Sequence, residues 1–155
     1  MIYNNKTSIN MLYSKYLQNQ SRQNIMKLHI IEDDNSLREI YSTLFSVAGH
    51  QVKASSNGLD AISEIADFKP DAVLLDIMMP EMDGYAFLDA LMNNTSLSPV
   101  IIVCSNLSDR TDIDRAMTRG ADYYLRKSDY VGNQLVDAVS AAYETARTKH
   151  QHSDT

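Results

Sequence analysis

Five polar side chains stand at the ends of separate apolar runs, and their chemical types suit phosphoryl chemistry. Two adjacent carboxylates, a third carboxylate, a hydroxyl and an ammonium close these runs: Asp33 with Asp34, Asp76, Ser105 and Lys127. Clustered carboxylates repel one another unless a cation joins them, and a set of oxygen ligands favours Mg²⁺. A hydroxyl and an ammonium opposite the metal would hold the remaining oxygens of a phosphoryl group.

Asp76 is the candidate nucleophile of this set. It stands alone at the end of an apolar run, whereas Asp33 and Asp34 are adjacent. Because an unpaired buried carboxylate is costly, its position at the end of a buried strand favours a functional role. A carboxylate that attacks phosphorus forms an acyl phosphate.

The runs that carry these residues alternate with segments of helical periodicity. Short apolar runs and one segment of alternating polar and apolar residues, Gln51–Ala54, predict five strands; the other four are Leu28–Ile31, Ala72–Leu75, Val100–Cys104 and Tyr123–Leu125. A segment with apolar residues at helical spacing follows each of them. This alternation predicts an α/β domain with a parallel sheet and helices on both faces. Because ligands bind at the carboxyl ends of such strands, the polar residues are expected to converge on one edge.

The chain has 155 residues, enough for one ordinary domain, and we expect it to span residues 27–148. Residues 1–26 are predicted to form a flexible N-terminal extension, and residues 149–155 a C-terminal tail. An alternative for the extension is a short docked helix, because five apolar residues share helical spacing there: Ile9, Leu12, Tyr13, Tyr16 and Leu17.

Charge and composition exclude several classes of protein. Residues 1–27 carry four basic and no acidic side chains, whereas residues 28–155 carry ten basic and twenty acidic ones. A domain this acidic is expected not to bind nucleic acid. No apolar run approaches the roughly 18 residues of a membrane-spanning helix, so we expect no membrane insertion and a cytoplasmic protein. The single Cys104 excludes an intramolecular disulfide.

Four stretches, IIEDDN, KPDAVLLDIMMPEMDG, VIIVCSN and GADYYLRK, resemble the signature of response-regulator receiver domains of two-component signalling. The resemblance covers about residues 27–148. It implies a flavodoxin-like fold, a five-stranded parallel sheet of order 2-1-3-4-5 doubly wound with five helices. It further implies that a sensor histidine kinase or a phosphotransfer protein phosphorylates Asp76.

The resemblance also assigns the remaining roles at the site. Mg²⁺ would be held by the three aspartates and by a backbone carbonyl: Asp33, Asp34, Asp76 and Met78. Ser105 and Lys127 would bind phosphoryl oxygens, and Ser105 and Tyr124 would form the switch. That switch would alter the face formed by helix four, strand five and helix five, where a downstream protein would bind.

Two positions depart from the family pattern. Ser128 follows Lys127 where the family usually has proline, and Asn106 follows Ser105 where a very small residue is common. Neither change removes a chemical group from the site. We therefore expect phosphorylation to be retained, with an effect of these positions on switching.

Several functions fit these residues to different degrees. The leading interpretation is a stand-alone receiver without a DNA-binding output domain, which is not an enzyme beyond its own phosphorylation and dephosphorylation. A phosphorelay intermediate that passes the phosphoryl group on is an alternative that the sequence does not separate from it. An aspartate-nucleophile phosphatase fits less well, because Met78 stands where a second acid is required. A non-phosphorylated scaffold is disfavoured by the complete set of polar residues.

Overall fold

The structure is a computed structural model that describes residues 24–94 and 96–152. Five strands alternate with five helices in that part of the chain, and a short 3₁₀ turn at Lys127–Asp129 precedes the last helix. In chain order the elements are β1 (Lys27–Ile31), α1 (Asn35–Val47), β2 (Gln51–Ser55), α2 (Gly58–Phe68), β3 (Ala72–Leu75), α3 (Gly84–Met92), β4 (Val100–Ser105), α4 (Arg110–Thr118), β5 (Tyr123–Arg126) and α5 (Asn133–His152).

The strands form one sheet in the order β2-β1-β3-β4-β5, and every pair of neighbours is parallel. Ile31 at the end of β1 pairs with Ser55 on one side and Leu75 on the other, and Leu75 pairs with Val103. The carboxyl ends of the strands are therefore aligned at one edge. This confirms the predicted fold class and strand order.

Helices cover both faces of the sheet because successive strand residues point to opposite sides. Val73 and Leu75 pack on one face with residues of α2, α3 and α4, whereas Ala72 and Leu74 pack on the other with residues of α1 and α5. Cys104 belongs to the second cluster and is buried, as expected of a small apolar core residue.

The folded part extends beyond both predicted boundaries. Met26 belongs to the predicted N-terminal extension, but its side chain is fully buried in the core with Phe45. At the other end α5 continues to His152, four residues into the predicted tail. No Gly or Pro follows Gly132, so no strong helix breaker stops it earlier. The apolar pattern at residues 9–17 lies outside the described residues.

Within the described ranges, no helix has the length and apolar character needed to cross a membrane.

Candidate functional site

Three carboxylates meet at the carboxyl edge of the sheet. Glu32 and Asp33 follow β1 and Asp76 follows β3; one oxygen from each lies within 4.8 Å of the others. Glu32 and Asp76 are buried, whereas Asp33 is exposed to solvent. The backbone N–H of Asp76 donates to the carbonyl of Ile31, which ties the two strand ends together. The cluster is therefore fixed by neighbouring strands and open on one side.

Lys127 joins two of these carboxylates. It follows β5, and its Nζ lies 2.7 Å from Glu32 Oε2 and 3.1 Å from Asp76 Oδ2. All three side chains are largely buried, so their charges interact more strongly than they would in water. One ammonium thus faces three carboxylates, and the remaining negative charge and oxygen donors fit a divalent cation such as Mg²⁺.

The structure places Glu32 beside Asp33 and Asp76, whereas the sequence analysis predicts Asp34 as the second metal ligand next to Asp33. Asp34 is the N-cap of α1, and its Oδ1 accepts a hydrogen bond of 2.9 Å from the Leu37 N–H. Its carboxylate is not part of the three-residue cluster. The sequence offered a signal for Glu32, because it is the first residue after the apolar run of β1. The sequence analysis predicts the metal role for the two identical aspartates beyond it.

A tight loop after β3 sets the position of Asp76 and Met78. The Met78 N–H donates to Asp76 Oδ1 at 3.4 Å, while the Met78 side chain is 63% exposed. Gly84 begins α3 directly against this loop, and a Cβ there would lie 2.6 Å from the Asp76 carbonyl oxygen. Only glycine permits this approach of α3 to Asp76.

Ser105 and Tyr124 meet through Leu107. Ser105 ends β4 fully buried, and its Oγ accepts a hydrogen bond of 3.3 Å from the Leu107 N–H. Tyr124 projects from β5 and donates its hydroxyl to the Leu107 carbonyl at 2.9 Å. The two predicted switch residues therefore hold opposite sides of the same peptide segment.

Burial and the ion pairs of Lys127 act in opposite directions on each pKa of the site. Burial raises the pKa of Asp76 above its ordinary value and outweighs the opposing effect of Lys127. Burial likewise raises the pKa of Glu32 against the opposing hydrogen bond from Lys127. Burial lowers the pKa of Lys127, but the hydrogen bond to Glu32 and the nearby carboxylate charges outweigh it, so the net shift is upward.

The positions that depart from the family pattern lie next to the site. The Lys127–Ser128 peptide is trans, since the described chain contains no cis peptide bond, and Lys127–Asp129 forms the 3₁₀ turn. Asn106 is exposed. Neither residue displaces the Ser105 hydroxyl or the Lys127 ammonium from the carboxyl edge of the sheet.

Comparison with known proteins agrees with this geometry. Residues 28–140 match the family model of the response regulator receiver domain. Protein PilG from Pseudomonas aeruginosa is 32% identical over 117 residues, which cover 75% of this chain and 86% of PilG. Regulatory protein AtoC from Escherichia coli is 31% identical over 128 residues, 83% of this chain. The chain spans only 28% of the length of AtoC.

The fold has counterparts among solved structures. The chemotaxis protein CheY4 of Vibrio cholerae superimposes with a TM-score of 0.71 at 20% identity, covering 77% of this chain and 99% of that one. The family match spans most of the chain and includes the carboxylates, Ser105 and Lys127. The chain therefore belongs to the response regulator receiver domain family of two-component signalling.

Proposed function

We propose that the protein accepts a phosphoryl group on Asp76 from a sensor histidine kinase or a phosphotransfer protein. One observation carries this proposal: Asp76 is buried between Lys127 and two further carboxylates, at the edge of the sheet where ligands bind. A phosphoryl group on Asp76 would therefore lie between the Lys127 ammonium and a cluster of carboxylates suited to a cation.

In the transfer step, an oxygen of the Asp76 carboxylate attacks phosphorus. The bond between phosphorus and the donor's imidazole nitrogen breaks, and its electron pair stays on the nitrogen, which takes up a proton from solvent. Lys127, already 3.1 Å from Asp76, neutralises charge on the phosphoryl oxygens. Glu32 keeps Lys127 in place through its 2.7 Å contact.

Mg²⁺ fits the same site and would neutralise the phosphoryl oxygens as they approach the carboxylates. Asp33 and Asp76 are the proposed direct ligands, together with the backbone carbonyl of Met78, as the family resemblance implies. Glu32 completes the carboxylate cluster. Asp34, engaged with the Leu37 N–H, is left out of the ligand set.

Phosphorylation is proposed to act through Leu107. Ser105 would turn its hydroxyl towards the phosphoryl group and so lose the Leu107 N–H. Because the carbonyl of the same residue accepts from Tyr124, a shift of Leu107 would release the Tyr124 side chain. A local charge change would then bias a two-state surface.

The surface that changes on phosphorylation is proposed to bind a downstream protein. A groove beside α4 and β5 has a mixed lining of apolar, aromatic and charged side chains, which include Ile113, Tyr124, Leu125, Tyr130, Arg126 and Asp129. Tyr124 connects this groove to the phosphorylation site. The protein is further proposed to be cytoplasmic and to bind no nucleic acid. The alternative is that it passes the phosphoryl group on as an intermediate of a phosphorelay.

Phosphate-affinity gel electrophoresis tests the proposed function. The protein is incubated with acetyl phosphate, with and without Mg²⁺, beside Asp76→Asn and Asp83→Asn variants. Asp83 is the matched control, because it is a nearby carboxylate that caps α3. A shifted band that requires Mg²⁺ and Asp76, but not the carboxylate of Asp83, is expected. A folded protein that no phosphodonor modifies, including a kinase, would contradict the proposal.

A further inference from the structure

Helix α4 is held to the body of the protein by few apolar contacts. Ala116 is its single buried residue, and Met117 is 42% exposed. Its position therefore depends strongly on polar contacts with neighbouring elements. Those contacts come largely from α3, on the side away from the proposed partner groove.

Tyr85, the second residue of α3, contacts the first turn of α4. Its hydroxyl lies 3.3 Å from Asp112 Oδ1 and 3.4 Å from the Asp112 carbonyl, in the first turn of α4. The guanidinium of Arg115 lies over its ring at 4.0 Å from the ring centre. Tyr85 itself is only 5% exposed, so α3 holds it firmly.

An ion pair links the same two helices further along. Arg119 Nε at the end of α4 lies 3.3 Å from Asp89 Oδ1 on α3. Its guanidinium is also 5.7 Å from the centre of the Tyr85 ring. Tyr85 thus contacts or lies near three residues in α4 and at its C-cap: Asp112, Arg115 and Arg119. No sequence pattern predicts a role for Tyr85.

These contacts lie beside the phosphorylation site. One open groove is lined by Asp33, Met78, Leu107, Tyr85 and Arg115, so it runs from the carboxylate cluster to the α3–α4 contact. The Tyr124 hydroxyl holds Leu107 in the loop that joins Ser105 to α4. Tyr85 holds Asp112 in the first turn of α4, directly after that loop.

We propose that Tyr85 is a positioning residue of the switch, which holds α4 in its unphosphorylated position through Asp112 and Arg115. The inference rests on the proposed function and adds a residue to it. Movement of Leu107 can carry α4 along only if the contact at Asp112 yields. Tyr85 therefore opposes activation, and removing its hydroxyl shifts the balance towards the activated form.

Binding of beryllofluoride, a mimic of the phosphoryl group, measures this balance. Tyr85→Phe keeps the ring under Arg115 and loses only the hydroxyl, so we expect it to bind beryllofluoride with Mg²⁺ about fivefold more tightly. That factor corresponds to about 1 kcal/mol, the net contribution of one hydrogen bond. Affinity for Mg²⁺ alone should stay within about twofold. Amide hydrogen exchange in α4 should become faster without any ligand.

Matched controls separate this role from a general loss of stability. Arg115→Ala should act in the same direction as Tyr85→Phe, whereas Arg110→Ala should not. Arg110 lies on the same helix, its side chain is 94% exposed, and it pairs within α4 with Asp114 at 3.8 Å. Tyr143→Phe on α5 is the corresponding control for a lost tyrosine hydroxyl.

Two results would overturn the inference: unchanged or weaker beryllofluoride binding by Tyr85→Phe, or unchanged exchange in α4. Failure of the proposed function looks different, because beryllofluoride would then bind neither wild type nor any variant, or would bind Asp76→Asn equally well. The switch role of Tyr85 would fall with it, whereas the exchange data would still report whether Tyr85 restrains α4.

Discussion

Glu32 and Asp34 flank the same aspartate, yet their surroundings give them different tasks. Glu32 is 3% exposed and contacts Lys127, whereas Asp34 is exposed and bonds the backbone of α1. A carboxylate that already caps a helix gains nothing from turning towards the cluster. Glu32 lies buried beside two other carboxylates, and its charge is offset by Lys127 and by the Asp34 N–H, which donates to its Oε1 at 3.2 Å.

This difference predicts opposite effects of two conservative substitutions. Glu32→Gln should weaken Mg²⁺ binding about tenfold, because one of three clustered charges is lost. Asp34→Asn should leave Mg²⁺ affinity within about twofold, since asparagine is also a good N-cap. Calorimetric titration with MgCl₂ measures both. Weaker Mg²⁺ binding by Asp34→Asn than by Glu32→Gln would restore the pairing first predicted from the sequence.

Asp34→Ala separates the capping role from the metal site. It should lower the free energy of unfolding by about 1 kcal/mol through loss of the cap. The measurement is urea denaturation in the absence of Mg²⁺. An unchanged unfolding midpoint would show that the hydrogen bond to Leu37 does not stabilise α1.

Met78 and Leu107 bear on the lifetime of the phosphorylated state. Both line the groove that reaches the carboxylate cluster, and neither side chain can orient an attacking water by hydrogen bonding. We expect slow hydrolysis, and about tenfold faster decay in a Met78→Asn, Leu107→Glu double variant. Loss of signal from phosphorylated protein after removal of the donor gives the rate. Equal decay of the two proteins would contradict this account.

At the level of elements, β1, β2 and α2 share a polar network that is buried at its centre and partly exposed at Glu64 and Lys53. The Nε2 of His29 on β1 lies 2.6 Å from the Ser55 hydroxyl on β2, which donates to Glu64 Oε2 on α2 at 2.6 Å. Lys53 completes the network at 3.2 Å from Glu64. His29 is fully buried, and burial lowers its pKa from 6.5 to about 4 despite the opposing charge of Glu64.

The depressed pKa of His29 predicts a loss of stability in acid. Between pH 6.5 and about 4 the unfolded chain protonates this histidine and the folded protein does not. The free energy of unfolding therefore decreases by about 3 kcal/mol as the pH is lowered from 6.5 to about 4, and it levels off below that range. Urea denaturation of wild type and His29→Val at pH 7.5 and 4.5 should give a smaller pH dependence for the variant. NMR titration of the ring with a midpoint near 6.5 would contradict the prediction.

Prediction from the sequence succeeded where a pattern repeats and failed where a contact joins distant positions. Short apolar or alternating segments predict the strands. Because the carboxyl ends of parallel strands are aligned, they also predict that Asp76, Ser105 and Lys127 lie at one edge of the sheet. The contact of Tyr85 with Asp112 joins residues 27 positions apart and leaves no periodic trace. Glu32 was missed for another reason: burial and helix capping, which distinguish neighbouring carboxylates, are properties of the folded chain.

For the whole molecule, the described chain ties its first residues into the core. Asn24 donates its side-chain amide to Glu144 on α5 at 2.8 Å, and the Met26 N–H donates to His50 Nδ1 at 3.3 Å. The buried Met26 side chain packs in the cluster that includes Phe45 and α5. The acidic domain from Asn24 onwards therefore contains the complete carboxylate cluster and both sheet faces.

A truncated protein that begins at Asn24, after an initiating methionine, should therefore fold like the full chain and accept a phosphoryl group like the full chain. We expect its free energy of unfolding to lie within about 1 kcal/mol of the full-length value, because no described core residue is lost. Met26→Ala in the same truncated protein should cost about 2–5 kcal/mol, since it leaves a cavity between α1, α5 and the sheet. Urea denaturation of the three proteins measures both effects. A large loss of stability from the truncation alone would instead favour the docked helix at residues 9–17, because an apolar face that packs on the domain must stabilise it.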